Sequence, residues 1–331
     1  MIPEESDRTE RDPSDLMDLT RPCEFENTHE PRKHPWAPWS DAEFLETVRP
    51  CVRLAYGLRR THSFYRSQQE LPDVHGSPFH ILRHRAALET GPAGAWDAEL
   101  AVALTQRVPD TLSALAVNQI TGMAGLVWSG EYLFTLPALA RASIEASATI
   151  GWLIPNDLNL DPRPICARGW IERANDISVS LKSPSTPEIQ TSLETTQQAL
   201  ETAIREFYSD DEVKVNKHGA VTSIAGEPYP KLTERVKRIQ QIWDHGDNWI
   251  KSYSRLCQWT HPNAGSSEMF TADGVYNMPP PLVAQMFLTA SQAYLFGLDH
   301  IVGFFGWQRE PLNRAYDAVG LIESIVAQAW K

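Results

Sequence analysis

The stretch Glu131–Ile154, EYLFTLPALARASIEASATIGWLI, decides the reading of this chain. It has helical character, is apolar on nearly every side, and carries two charges in its middle, Arg141 and Glu145. Four residues apart, they share one helix face and can touch. A helix that is apolar all round is buried or spans a membrane. A charge inside it is costly unless paired and hydrogen-bonded. The rest of the chain is therefore expected to surround this helix and to satisfy that pair.

Working outward, most of the remaining sequence follows the helical period. Ser40-Asp41-Ala42-Glu43 has the form of a capping box, predicting a helix to about Gln69. Ser77-Pro78, Asp161-Pro162 and Thr186-Pro187 each place a capping side chain before a first-turn proline. They predict helices running to about Glu89, Leu181 and Tyr208. Ala95–Arg107 and Pro109–Trp128 read as two helices separated at the proline, and Lys231–Trp243 as another. Asp247 is placed to cap a helix over Asn248–Thr260, which His261-Pro262 ends. Pro280–Trp307 is a second very apolar helix, and Pro311–Trp330 is the last. Residues 210–230 read as a loop, a candidate lid, with Ala220–Ile224 strand-like but unpaired. The fold class is all-α, a multi-helix bundle of about ten helices. Residues 39–331 form the expected single helical domain. Residues 1–38, rich in Pro and charge, form a disordered or extended N-terminal arm that adds little to the core.

Composition narrows the function classes. The chain has 331 residues, 42% of them hydrophobic, which is enough for a large core. The net charge of −12 argues against a broad nucleic-acid-binding surface but permits a local basic cleft. Four scattered cysteines with no CxxC fit reduced thiols and a cytoplasmic protein rather than a disulfide framework or a zinc module. Charged and polar residues interrupt both long apolar stretches, so no membrane span is expected. The acidic start of the chain lacks the apolar core of a signal peptide.

No Walker loop, GxGxxG, GxSxG, HExxH or zinc-deaminase pattern occurs, so no cofactor and no metal is expected. Glu26-Asn27-Thr28-His29 matches ExxH but sits in the arm, and His80/His84 stand among arginines without a local carboxylate. Any site must be assembled from isolated side chains. The candidate is Tyr253 to Pro262, YSRLCQWTHP. Tyr253, Cys257 and His261 form one helical stripe, and Arg255 lies about 120° round the axis from His261. The candidate site residues are Arg141, Glu145, Tyr253, Arg255 and His261, with His300 a further candidate for the same cleft. Of the adjoining Asp299 and His300, one is expected to pair with Arg141. Arg168, Glu172, Arg173 and Asp176 are spaced for salt bridges within their own helix, though one arginine could reach a cleft.

The pairing of R-x-x-x-E at Arg141 and Glu145 with Y-x(7)-H at Tyr253 and His261 resembles a family of helical bacterial domains of unknown function. Arg255 to His261 also resembles the R-x(4–6)-H signature of HEPN domains, many of which are metal-independent endoribonucleases or toxins of defence systems. That resemblance implies a homodimer in which arginine and histidine of two protomers meet. It also implies an RNA substrate, with Arg255 on the phosphate and His261 in acid–base chemistry at the ribose 2′-hydroxyl. Two alternatives stay open. One is a regulatory module holding a small ligand between the apolar helices. The other is a metal-dependent helical enzyme using Glu145, His261 and His300 or Asp299.

Overall fold

The structure is a computed structural model that describes residues 17, 22–28, 42, 46–68, 74–129, 135–154, 160–217, 219–242, 248–260, 271–272, 275–276 and 278–329. Among them are eleven helices. In chain order these are α1 (Glu24–Thr28), α2 (Arg49–Gln68), α3 (Pro78–Ala86), α4 (Ala98–Ser129), α5 (Leu136–Leu153) and α6 (Pro162–Ser180). There follow α7 (Pro187–Phe207), α8 (Leu232–Ile242), α9 (Asn248–Thr260), α10 (Pro280–Phe305) and α11 (Glu310–Ala329). The all-α class holds, with only small antiparallel sheets added. None of the described helices is long and apolar enough to cross a membrane.

The residues that start each helix explain where it starts. Ser77, Asp161 and Thr186 accept hydrogen bonds from the backbone N–H of His80, Arg163 and Ile189, and a proline occupies the first turn in all three helices. This satisfies one donor that the helix would otherwise leave orphaned. α10 ends at Gly306, whose φ of 71° lies in the left-handed region that a glycine adopts at least cost.

α5 is the centre of the bundle. α4 and α10 flank it along much of its length, α8 and α9 pack on a further side, and α6 reaches its C-terminal end. Two adjoining apolar cores run along α4, α5 and α10. One gathers α2, α8, α9 and α11, and the other α3, α6, α7 and the 221–224 strand. α10 buries nearly all its side chains, among them Phe287, Tyr294, Leu295 and Val302. Each such apolar side chain contributes about 1.5–3 kcal/mol on leaving water. The two apolar helices approach closely because small residues line their contact. A Cβ on Gly151 would stand 2.5 Å from Phe296 Cε1, and one on Gly297 would stand 3.4 Å from Ser147 Cα.

Two expectations are corrected. α4 runs unbroken through Pro109, where two helices were expected. Both halves bury an apolar face, Ala101 and Val102 before the proline and Ala116, Val117 and Ile120 after it, and this packing outweighs the one lost hydrogen bond. The 210–230 stretch is not a free loop. It forms an antiparallel sheet of Val213–Val215, Val221–Ile224 and Glu227–Pro228, turned at Ala225-Gly226 with positive φ at both residues. Ile224 is fully buried against α6, which removes the lid reading. Residues 1–38 are consistent with the expected extended arm, and within them Met17 and Cys23 are buried against the core. The Glu26 carboxylate accepts from Cys23 N and Arg53 Nε and lies 3.1 Å from Arg49 Nε, so it is committed to arginines rather than to an ExxH metal site. His29 and the capping-box residues Ser40, Asp41 and Glu43 lie outside the described residues, as does Asp247.

Gly151→Ala tests the close crossing. The added methyl has no room against Phe296, so the variant is expected to lose about 1–3 kcal/mol in urea-induced unfolding. An unchanged midpoint would show that the ring yields freely and that the crossing is not tight.

Candidate functional site

α5 carries a polar stripe at four-residue intervals, Arg141, Glu145 and Thr149, with the small hydroxyls of Ser143 and Ser147 buried off that stripe. Arg141 and Glu145 meet α9. Arg141 Nε donates to Glu145 Oε1 at 2.6 Å, and the same oxygen accepts from Tyr253 Oη at 2.8 Å. Arg141 Nη1 donates to Thr260 Oγ1 at 3.2 Å, while that hydroxyl shares its own proton between the carbonyls of Leu256 and Cys257, at 2.9 Å each. Tyr253 and Thr260 are seven residues apart, two turns, and so lie on one face of α9.

The pair was expected to be buried; it is half-buried, with the side chains of Arg141 and Glu145 27% and 22% exposed. The hydrogen bond from Arg141 to Glu145 raises the guanidinium pKa further, so the arginine is always charged. Burial, and next the bond to Glu145, pushes the Tyr253 phenol upward, so it stays a donor throughout the physiological range. The cluster is thus a cation, an anion and two hydroxyls, closed on one side by α5 and open to solvent on the other.

Of the five candidate residues, the structure brings Arg141, Glu145 and Tyr253 together. Arg255 is exposed, two residues from Tyr253 and about 160° round the helix from it. His261 lies outside the described residues. His300 does not join the cluster. Its Nδ1–H donates to the Ile154 carbonyl at 2.6 Å, and the ring lies 4.4 Å from that of Phe296. Ile154 is nine residues beyond Glu145, about 13 Å along the axis. Asp299 pairs with Arg309, not with Arg141. The ligand set of the metal-dependent reading therefore does not assemble around Glu145 from either residue. Among the described residues no group of three or more His, Cys, Asp and Glu is placed to hold a metal ion.

The stripe continues to a second polar cluster that sequence reasoning missed. Thr149 Oγ1 donates to the Glu145 carbonyl and accepts from Arg235 Nη1, both at 2.9 Å. Arg235, on α8, is 3% exposed. Its guanidinium carbon sits 4.4 Å from the Trp152 ring centroid and 4.5 Å from that of Tyr229. The Glu172 carboxylate of α6 lies 2.8 Å away, a charge contact without the alignment of a hydrogen bond. Burial raises the Glu172 pKa and Arg235 opposes that rise. Beside it Arg168 grips Glu227 through two parallel bonds of 3.0 Å, and Asn175 Nδ2 donates to the Val221 carbonyl. Arg168 and Glu172 were expected to pair within α6, yet only Arg173–Asp176 does so. Arg168 and Glu172 instead reach outward and pin the small sheet and α8. Thr149 was the legible clue, since it extends R-x-x-x-E by one further turn. Trp152 and Trp170 are core residues.

Comparison of the chain with protein-family models, with curated proteins and with solved structures finds no match.

Two outcomes follow. Glu145→Ala removes the acceptor shared by Arg141 and Tyr253 and is expected to cost about 1.5–3 kcal/mol, with Tyr253→Phe costing about 1 kcal/mol. Urea midpoints measure both, and a loss below about 0.5 kcal/mol for Glu145→Ala would mean that the cluster does not hold α9. The second outcome concerns pH. Burial depresses the pKa of His62 and His300 below 6.5. Below that pH the unfolded chain takes up protons that the folded chain refuses, so stability falls as pH falls. The thermal midpoint is expected to drop between about pH 7.5 and pH 5, and His300→Asn, which keeps a donor toward Ile154, should flatten the slope. An identical slope in that variant would exonerate His300.

Proposed function

We propose that this protein is a metal-independent endoribonuclease of the HEPN type, a defence- or toxin-like effector that works as a cytoplasmic homodimer. The observation that supports an RNA substrate is the segregation of charge. The chain as a whole carries −12, yet α8 exposes two cations, Lys237 and Arg238, against one anion, Glu234, and α9 has two cations and no anion. Lys237 and Arg238 of α8 and Arg255 of α9 are exposed, and both helices lean on α5 beside the Arg141–Glu145–Tyr253 cluster. A polyanionic strand is drawn to such a face even on an acidic protein.

In this reading each group has one task. Glu145, Arg141 and Tyr253 are positioning residues that hold α9 against α5. Arg255 neutralises the phosphate. His261, next in sequence after Thr260, takes the proton from the ribose 2′-hydroxyl as its oxygen attacks phosphorus. The bond from phosphorus to the 5′-oxygen breaks, and that oxygen receives a proton from the imidazolium of the second protomer. The products are a cyclic phosphate and a free 5′-hydroxyl, with no oxidant or metal in the balance.

The purified chain is expected to cleave fluorescently labelled RNA in the presence of a chelator. His261→Ala and Arg255→Ala should each abolish cleavage while leaving the thermal midpoint within a few degrees. Lys237→Ala is expected to reduce the salt dependence of RNA binding by about one phosphate contact. Cleavage that requires magnesium, or that survives in His261→Ala, would overturn the assignment.

A further inference from the structure

α2 stands apart in charge. On a chain with 42 acidic against 30 basic side chains, Arg49–Gln68 holds five arginines and no carboxylate. Helical geometry puts Arg49, Arg53, Arg59, Arg60 and Arg66 within an arc of about 140°. The opposite side of the helix is buried, with Leu54, Leu58, Thr61 and Tyr65. α4, α10 and α11 pack against the helix, so it is a fixed support. The first two arginines are taken by the chain itself, since Glu26 accepts from Arg53 Nε at 2.8 Å and lies 3.1 Å from Arg49 Nε. Arg59 and Arg66 differ. Both are exposed, and neither has an ion pair among the described residues. Arg141, Arg163, Arg168, Arg173 and Arg235, by contrast, each have a carboxylate partner. Arg59 and Arg66 stand two turns apart on one stripe, about 10.5 Å along the axis, with the short, exposed Ser63 between them.

A line of cations on a fixed helix suits a ligand whose own charge repeats along a line. We propose that the Arg59–Ser63–Arg66 face of α2 is a second docking surface for the RNA strand, which it holds by the phosphates. The guanidinium fork matches a phosphate group, and contacts of that kind position a strand without reading its sequence. α2 leans on α4, α10 and α11, whereas α8 and α9 lean on α5, so the two positive faces belong to different parts of the bundle. The identity of the strand as RNA rests on the nuclease reading; the surface itself rests on the charge of α2.

Fluorescence anisotropy of the full chain with a labelled 2′-O-methyl oligonucleotide, which cannot be cut through its 2′-oxygen, reads binding apart from cleavage. Arg59→Gln/Arg66→Gln is expected to weaken binding and to lower the slope of log affinity against log salt by about 1.4, two single-strand phosphates at about 0.7 each. Arg173→Gln/Arg205→Gln removes the same charge from two exposed ion pairs elsewhere and should leave the slope unchanged. No binding by the wild type, an unchanged slope in the α2 variant, or an equal loss in both variants would overturn the proposal. So would labelled polyglutamate binding at least as tightly through the same two arginines, which would make the partner an acidic polypeptide. A wild type that binds through Arg59 and Arg66 but leaves unmodified RNA uncut keeps the surface and removes the nuclease reading. A wild type that cuts RNA while the α2 variant keeps its slope does the reverse.

Discussion

The Glu145 carboxylate oxygen that accepts from both Arg141 and Tyr253 is the contact on which the arrangement around α5 depends. α5 is packed by five other helices, so any polar group on it must find a partner in a neighbour or remain costly. Arg141, Glu145 and Thr149 lie on one stripe, and each finds a partner on a helix from the second half of the chain, while Ser147 bonds back to the Ser143 carbonyl within α5. Arg141 and Glu145 select Thr260 and Tyr253 on α9, and Thr149 selects Arg235 on α8. Apolar packing would tolerate a small rotation of either helix. Directional bonds of 2.8–3.2 Å between the helices do not.

The architecture was largely legible because its signals are local. Capping side chains before prolines and the helical period are properties of short windows, and they placed α3, α6, α7, α9 and α10 to within a few residues. The R-x-x-x-E pair was legible for the same reason, since one helix supplies both charges. Tyr253 could be named because it stands near the end of a helix with a distinctive polar sequence, although nothing in the sequence alone required it to meet Glu145.

What was not legible depends on distant partners. The small sheet was missed because Val213–Val215 has too few residues to show an alternating pattern, and because its docking rests on Arg168 with Glu227 and on Asn175 with the Val221 carbonyl, separations of 59 and 46 residues. Arg168 and Glu172 looked self-sufficient at four-residue spacing, a spacing that permits a pair without demanding it. His300 was misplaced for a related reason. On a helix as apolar as α10 a histidine invites pairing with the nearest buried charge. Its need is met by the Ile154 carbonyl, which the ending of α5 leaves without a helical donor. Protonation keeps that donor but places a charge in a buried site, which ties the histidine to stability.

The two helices that satisfy α5 also carry the outward positive charge, and one helical repeat connects the two facts. Each places an anchor inward, Arg235 on α8 and Tyr253 on α9, and a cation two residues later, Lys237 and Arg255. Two residues turn about 200° round the axis, so an anchor held on the inner face sends its follower to the outer face. The Trp152–Tyr229–Glu172 enclosure of Arg235 and the shared oxygen of Glu145 thereby fix the direction in which the exposed cations point. Cations on helices held in this way lose less freedom when they meet an anion than cations on a mobile loop would. The cost of the polar stripe in an apolar helix is offset by neighbours that bond it, and the same anchors leave Lys237 and Arg255 exposed on the outer sides of α8 and α9.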